Sequence, residues 1–107
     1  MKTTQNQSNK AVALKLAHLL FKAKKALSSA TGKPVEPFGK FVAYAYKMLR
    51  NRALFASVYK QLDKTCWAML SSAKVSANDF NAFYDNYNAV FVIGLKTFNG
   101  FYQTVSN

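Results

Sequence analysis

The chain has 107 residues, half of them hydrophobic, with nine Phe, six Tyr and one Trp. That is enough apolar material for the core of one domain, and it excludes an intrinsically disordered chain. The net charge is +11, and a single cysteine and a single histidine exclude an internal disulfide and a zinc-finger framework. The charge is unevenly placed. Residues 1–64 carry 13 of the 15 Lys and Arg against only Glu36 and Asp63, while beyond them Lys74 and Lys96 cancel Asp79 and Asp85. Such a split predicts that the front half faces something anionic and the back half does not.

The opening MKTTQNQSNK lacks the apolar core of a signal peptide and reads as a flexible polar tail over 1–9. Residues 10–107 then read as one helical domain. Ser8 or Asn9 is the expected cap of a first helix running to about Ser28. Val12, Leu16, Leu19, Leu20, Ala23 and Leu27 recur at three and four and form its apolar face. Lys15, His18, Lys22 and Lys25 fall together on the far side, with Leu14 and Phe21 at the edge of that stripe. Gly32, Pro34 and Pro37 in SSATGKPVEP end the helix and turn the chain, and Pro37 suits the first turn of a second one. Phe38, Phe41, Val42, Ala45, Met48 and Leu49 are its expected buried side, and Lys40, Tyr44, Lys47 and Asn51 its wet side.

Between Gly39 and Gly94 there is neither Gly nor Pro, which favours helix throughout. The RNR at 50–52 is a candidate joint without a breaker residue, so bending and continuation both stay open. A third helix is expected over about 53–71, with Phe55, Val58, Tyr59, Leu62, Cys66, Met69 and Leu70 inward and Ser57, Lys60, Gln61 and Lys64 outward. SSAKVSAND interrupts the pattern, and Ser76 with Asp79 three residues on forms a start resembling a capping box. The last helix carries Phe80, Phe83, Tyr87, Val90 or Phe91, Gly94 or Leu95, and Phe98. Asn99-Gly100 lies between β-prone runs and is also a hairpin signal, so residues 90–105 admit a short C-terminal hairpin. The unbroken three–four spacing from Phe80 to Phe98 favours helix, with Gly100 as its cap. The expected fold is therefore all-α, a compact bundle of four or five helices.

Catalytic parts are scarce. His18 stands among lysines, which disfavour a bound metal cation, and Cys66 lies on the apolar phase of its helix, as an inert thiol does. Asp79 and Asp85 are six apart and off-phase for an acid/base pair. No phosphate-loop, dinucleotide, zinc-protease or serine-hydrolase motif occurs. A non-catalytic protein is expected, with no cofactor, no metal and no small-molecule substrate.

The basic residues nominate the site: Lys15, Lys22, Lys24, Lys25, Lys33, Lys40, Lys47, Arg50 and Arg52, expected to converge into one cationic surface. Lysines are point charges suited to phosphates, and two arginines give little scope for bidentate base reading, so DNA or RNA backbones are the expected partner, with low sequence specificity. Tyr44, Tyr46 and Tyr59 are candidates for base stacking, although packing accounts for them better. The alternative partner is an acidic protein surface, met by an inhibitor or adaptor. Residues 10–27 are basic and amphipathic as membrane-surface helices are, but three further amphipathic segments account for that face, so a membrane is not the expected partner. A charge of +11 also exceeds the roughly 2–8 that keeps a small domain soluble. The composition leaves the oligomeric state open.

ALKLAHLLFK at 13–22 followed by FGKFVAYAYKML at 38–49 resembles a pattern in small basic helical proteins of phages and bacterial mobile elements. There, an Ala-His or Ala-Trp helix precedes a second helix with Phe near its start and an aromatic-Lys pair near its end. This chain departs in having Tyr46 where Trp is usual and in its longer GKPVEP linker, and the likeness stops at Arg52. It implies a small non-enzymatic role in a phage setting, such as inhibition of a host defence or nuclease complex. With no signal core, no apolar run near the roughly 20 residues of a membrane span and one thiol, the expected location is the cytoplasm, the host's if the gene is viral.

Overall fold

The computed structural model describes residues 2–106, with side chains from Lys10 onward. Five helices follow in order: α1 (Lys2–Thr31), α2 (Phe38–Arg50), α3 (Arg52–Ser71), α4 (Ala77–Thr97) and the short α5 (Phe101–Val105). No strand occurs among the described residues. The fold is all-α, as the spacing predicts. One boundary differs from expectation. α1 begins at Lys2, so the polar segment is the first part of a helix and neither Ser8 nor Asn9 is its cap.

The long helices pack side by side as a bundle. His18 and Phe21 of α1 meet Phe38, and Phe21 also meets Phe41, at the start of α2. Phe55, Tyr59 and Asp63 of α3 meet Phe98, Phe91 and Tyr87 in reverse order. α3 and α4 therefore run antiparallel, and so do α1 and α2, since Lys10, Val12 and Lys15 near the front of α1 lie beside Tyr46, Leu49 and Arg50 at the end of α2. The most extensive interface is between α1 and α4, followed by α1 with α2 and α3 with α4. Leu16, Met48, Phe55, Phe83, Val90 and Phe101 are fully buried where these faces meet. Each such side chain contributes about 1.5–3 kcal/mol relative to exposure. The α1 face is confirmed by Leu16, Leu20 and Ala23, while Val12, Leu19 and Leu27 sit half-buried at its edge. Leu70 is the exception to the α3 assignment. It is 57 % exposed, on the margin of the apolar arc in the last turn, where no other helix covers it.

The joint at 50–52 is a true break. Asn51 leaves helical geometry at φ −138° and ψ 102°, closes α2 by donating its N–H to Met48 O, and caps α3 by accepting from Leu54 N–H at 3.1 Å. An asparagine at this position supplies both functions without Gly or Pro. At the start of α4, Ser76 Oγ accepts from Asp79 N–H at 3.1 Å, as its position predicts.

The C-terminal hairpin does not form. A two-residue type I′ turn needs φ > 0 at both central residues. Of the two, only Gly100 has it, at φ 70°, and no non-glycine residue among the described residues does. Gly100 instead turns the chain from the end of α4 into α5 and drops Phe101 into the core. Phe101 lies against the α4 backbone at Gly94. A Cβ there would stand 2.5 Å from the ring, so the close approach requires glycine. Phe55, Tyr59, Phe91 and Phe98 surround the ring at centroid distances of 5.2–6.1 Å.

Candidate anion-binding surface

Helix α2 is flanked by two grooves. The larger, about 950 Å³, lies between α1, the end of α2 and α4. Lys10 and Lys15 line it from α1, Arg50 from α2 and Lys96 from α4, with Tyr46, Asn88 and the carboxylate Asp85 among them. Four cations from three helices thus face one anion. The antiparallel pairing of α1 with α2 explains the meeting, because it brings the front of α1 to the end of α2.

The second groove, about 520 Å³, lies on the other side of α2. Lys24, Lys40 and Lys47 line it with Tyr44 and Glu36, and Ser57 and Gln61 of α3 form the far wall. Glu36 pairs with Lys40 at 3.2 Å, the only ion pair among the described residues. Both partners are largely solvated, so the pair is worth at most about 1 kcal/mol and offsets only part of the local charge.

The nine nominated cations therefore divide. Lys15 and Arg50 share one groove, and Lys24, Lys40 and Lys47 share the other. Lys22, Lys25 and Lys33 line neither; all three are exposed, and Lys25 Nζ lies 5.4 Å from the centre of the Phe21 ring. Arg52 has a structural task. It donates to Thr104 Oγ1 at 3.2 Å and to Asn99 O, and its guanidinium lies 5.7 Å from the Phe98 ring, so it ties the start of α3 to the C-terminal corner. Lys96 belongs to the nominally neutral back half, yet it joins the larger groove. The same half also contributes Asp85 to that groove, so the surplus positive charge there comes from Lys10, Lys15 and Arg50 of the front half. The signal for Lys96 was its place in the last turn of α4, whose antiparallel run carries it to the front of α1.

The tyrosines divide as well. Tyr44, 41 % exposed, and Tyr46, half-buried, border the two grooves. Tyr59 does not: it stacks on Tyr87 at 5.2 Å, and its hydroxyl donates to Tyr87 Oη at 3.0 Å. Tyr87 in turn donates to Asp63 Oδ1 at 2.5 Å. Burial pushes the Tyr87 hydroxyl far above the ordinary tyrosine range, helped by its bond to Asp63. Tyr59 is raised too, chiefly by burial. Cys66 is buried nearby, and its thiol is pushed up by burial first and by the Asp63 charge second, the opposite of what a thiolate nucleophile needs. His18 is exposed, its ring 4.6 Å from that of Phe38.

Among the described residues no cluster of His, Cys, Asp or Glu has the makings of a metal site, and no helix is long and apolar enough to cross a membrane. No known family, curated protein or solved structure matches the chain.

Proposed function

We propose that this protein binds nucleic-acid backbones without catalysis and with little base specificity, through the cations flanking α2. The observation that carries this reading is the larger groove, where Lys10, Lys15, Arg50 and Lys96 converge against the single carboxylate of Asp85. Like charges held together are costly without an anionic partner, and phosphates meet that need in a way that water and scattered counterions meet less well. The groove offers mostly lysines, which grip phosphates as point charges and read no sequence.

The test is the salt dependence of oligonucleotide affinity. Each phosphate neutralised contributes a slope of about −0.9 on duplex and −0.7 on a single strand in a plot of log K against log[salt]. Replacing Lys10, Lys15 and Lys96 together with Ser should flatten the slope by about 2–3 while the helices stay folded, since exposed substitutions cost little stability. Absence of any binding at about 50 mM salt, where screening is weak, refutes the proposal. Partners that survive nuclease treatment in a pull-down would point to an acidic protein surface instead.

A further inference from the structure

We infer that the wet face of α3 is a stacking platform for a single strand, with Trp67 as its base-contacting residue. The inference rests on the proposed backbone binding and adds which form of nucleic acid is preferred and which side chain meets the base.

Trp67 is the only tryptophan of the chain, and it is 63 % exposed. An indole ordinarily goes where most of its area is buried, so its placement on the solvent side of α3 is unexplained by folding. Its surroundings are cationic. Lys60, Lys64 and Trp67 follow at i, i+4 and i+7, which on a helix brings them within an arc of about 60°. Both lysines are exposed, as is Leu70 one turn beyond. Asp63, the carboxylate closest in sequence, is engaged elsewhere: its Oδ1 accepts from Tyr87 Oη between α3 and α4.

The face is also continuous with the basic surface beside α2. Ser57 and Gln61 form the α3 wall of the Lys24–Lys40–Lys47 groove. Around α3, Lys60 and Lys64 come next after those two residues, and Trp67 after the lysines. A polyanion leaving the groove over Ser57 and Gln61 thus meets two further ammonium groups and then an aromatic face. Charge complementarity selects a polyanion, and the indole selects one with exposed bases. In a duplex the bases are stacked on one another and present no free face, whereas a single strand offers one at every nucleotide.

Trp67 also reports on itself, because emission excited at the red edge of the aromatic band comes from it alone. The probe is an oligothymidylate of about 20 nucleotides, longer than common single-strand site sizes, beside a duplex of equal length. The expected result is saturable quenching by the single strand and little by the duplex. Trp67→Ala should weaken single-strand binding by about 5- to 150-fold and leave duplex binding unchanged. Trp67→Phe retains an aromatic face and should lose less, and it serves also should the alanine variant fold poorly. If the single strand binds with unchanged emission and the variants bind equally well, the stacking role is overturned while backbone binding stands. If neither oligonucleotide binds, both fail. If the oligonucleotides leave the emission unchanged while phosphatidylserine vesicles blue-shift it, the face serves a lipid surface and the inference is overturned.

Discussion

Replacing Gly94 with Ala should destabilise the protein although alanine is the better helix former. In a helix interior the exchange gains about 1 kcal/mol from propensity. Here the new Cβ would stand 2.5, 2.8 and 2.9 Å from three atoms of the Phe101 ring. Carbon contacts favour about 3.5–4.0 Å, so either the ring or the α4 backbone has to move by about 1 Å. The ring is fully buried and hemmed in by Phe55, Tyr59, Phe91 and Phe98, so its displacement pushes α5 off the bundle. Overpacking costs about 1–3 kcal/mol, and three simultaneous close contacts belong to its upper half. The net loss is then about 1–2 kcal/mol, or a Tm lower by about 4–8 °C for a domain of this size. Gly39 is the control. It lies in α2 with nothing within 4 Å of a new Cβ, so Gly39→Ala should raise Tm slightly. Thermal melts followed by far-UV circular dichroism read both. A Gly94→Ala variant that melts at or above the parent temperature refutes the packing of Phe101 described above.

Arg52→Ala should lower Tm, at a cost of about 1 kcal/mol, because Thr104, Asn99 and Phe98 lose their tie to α3. It should leave the salt slope of oligonucleotide binding almost untouched, whereas Lys15→Ser should do the reverse; an equal fall in slope for both variants would return Arg52 to the binding surface. Alkali should unfold the protein through Tyr87 and Tyr59. Their hydroxyls keep their protons in the fold above the pH of about 10 at which an unfolded tyrosine ionises, so their contribution is whole below that pH and is lost as pH rises above it. Urea midpoints measured between about pH 8 and 11 should fall less steeply in Tyr87→Phe, which starts less stable for want of the bond to Asp63, and equal steepness would count against the tyrosine linkage.

Helix identity was legible because burial follows the three–four spacing. Leu16, Leu20, Phe55, Leu62, Phe83 and Val90 all lie where periodicity puts them. The Ser76 cap was legible because its chemistry is local. The Asn51 cap is just as local, but RNR carries no Gly or Pro to set it apart from a continuing helix. The other differences depend on neighbours. Leu70 is in phase but has no helix opposite it. The site was half legible. Counting lysines located the basic half of the chain, but which cations share a groove is set by the order and direction of the helices. That order separates Lys15 from Lys22 and Arg50 from Arg52, and it recruits Lys96, together with Asp85, from a segment of zero net charge.

The pairing of α1 with α4 has a consequence for synthesis. α1 leaves the ribosome well before α4, the helix with which it shares its most extensive interface. Until α4 emerges, the flank of α1 it will cover stays open to water and to other nascent chains, and closing the bundle joins segments separated by all of α2 and α3. Translation stalled within α3 should therefore yield a sticky, protease-sensitive fragment, and folding should complete in one late step.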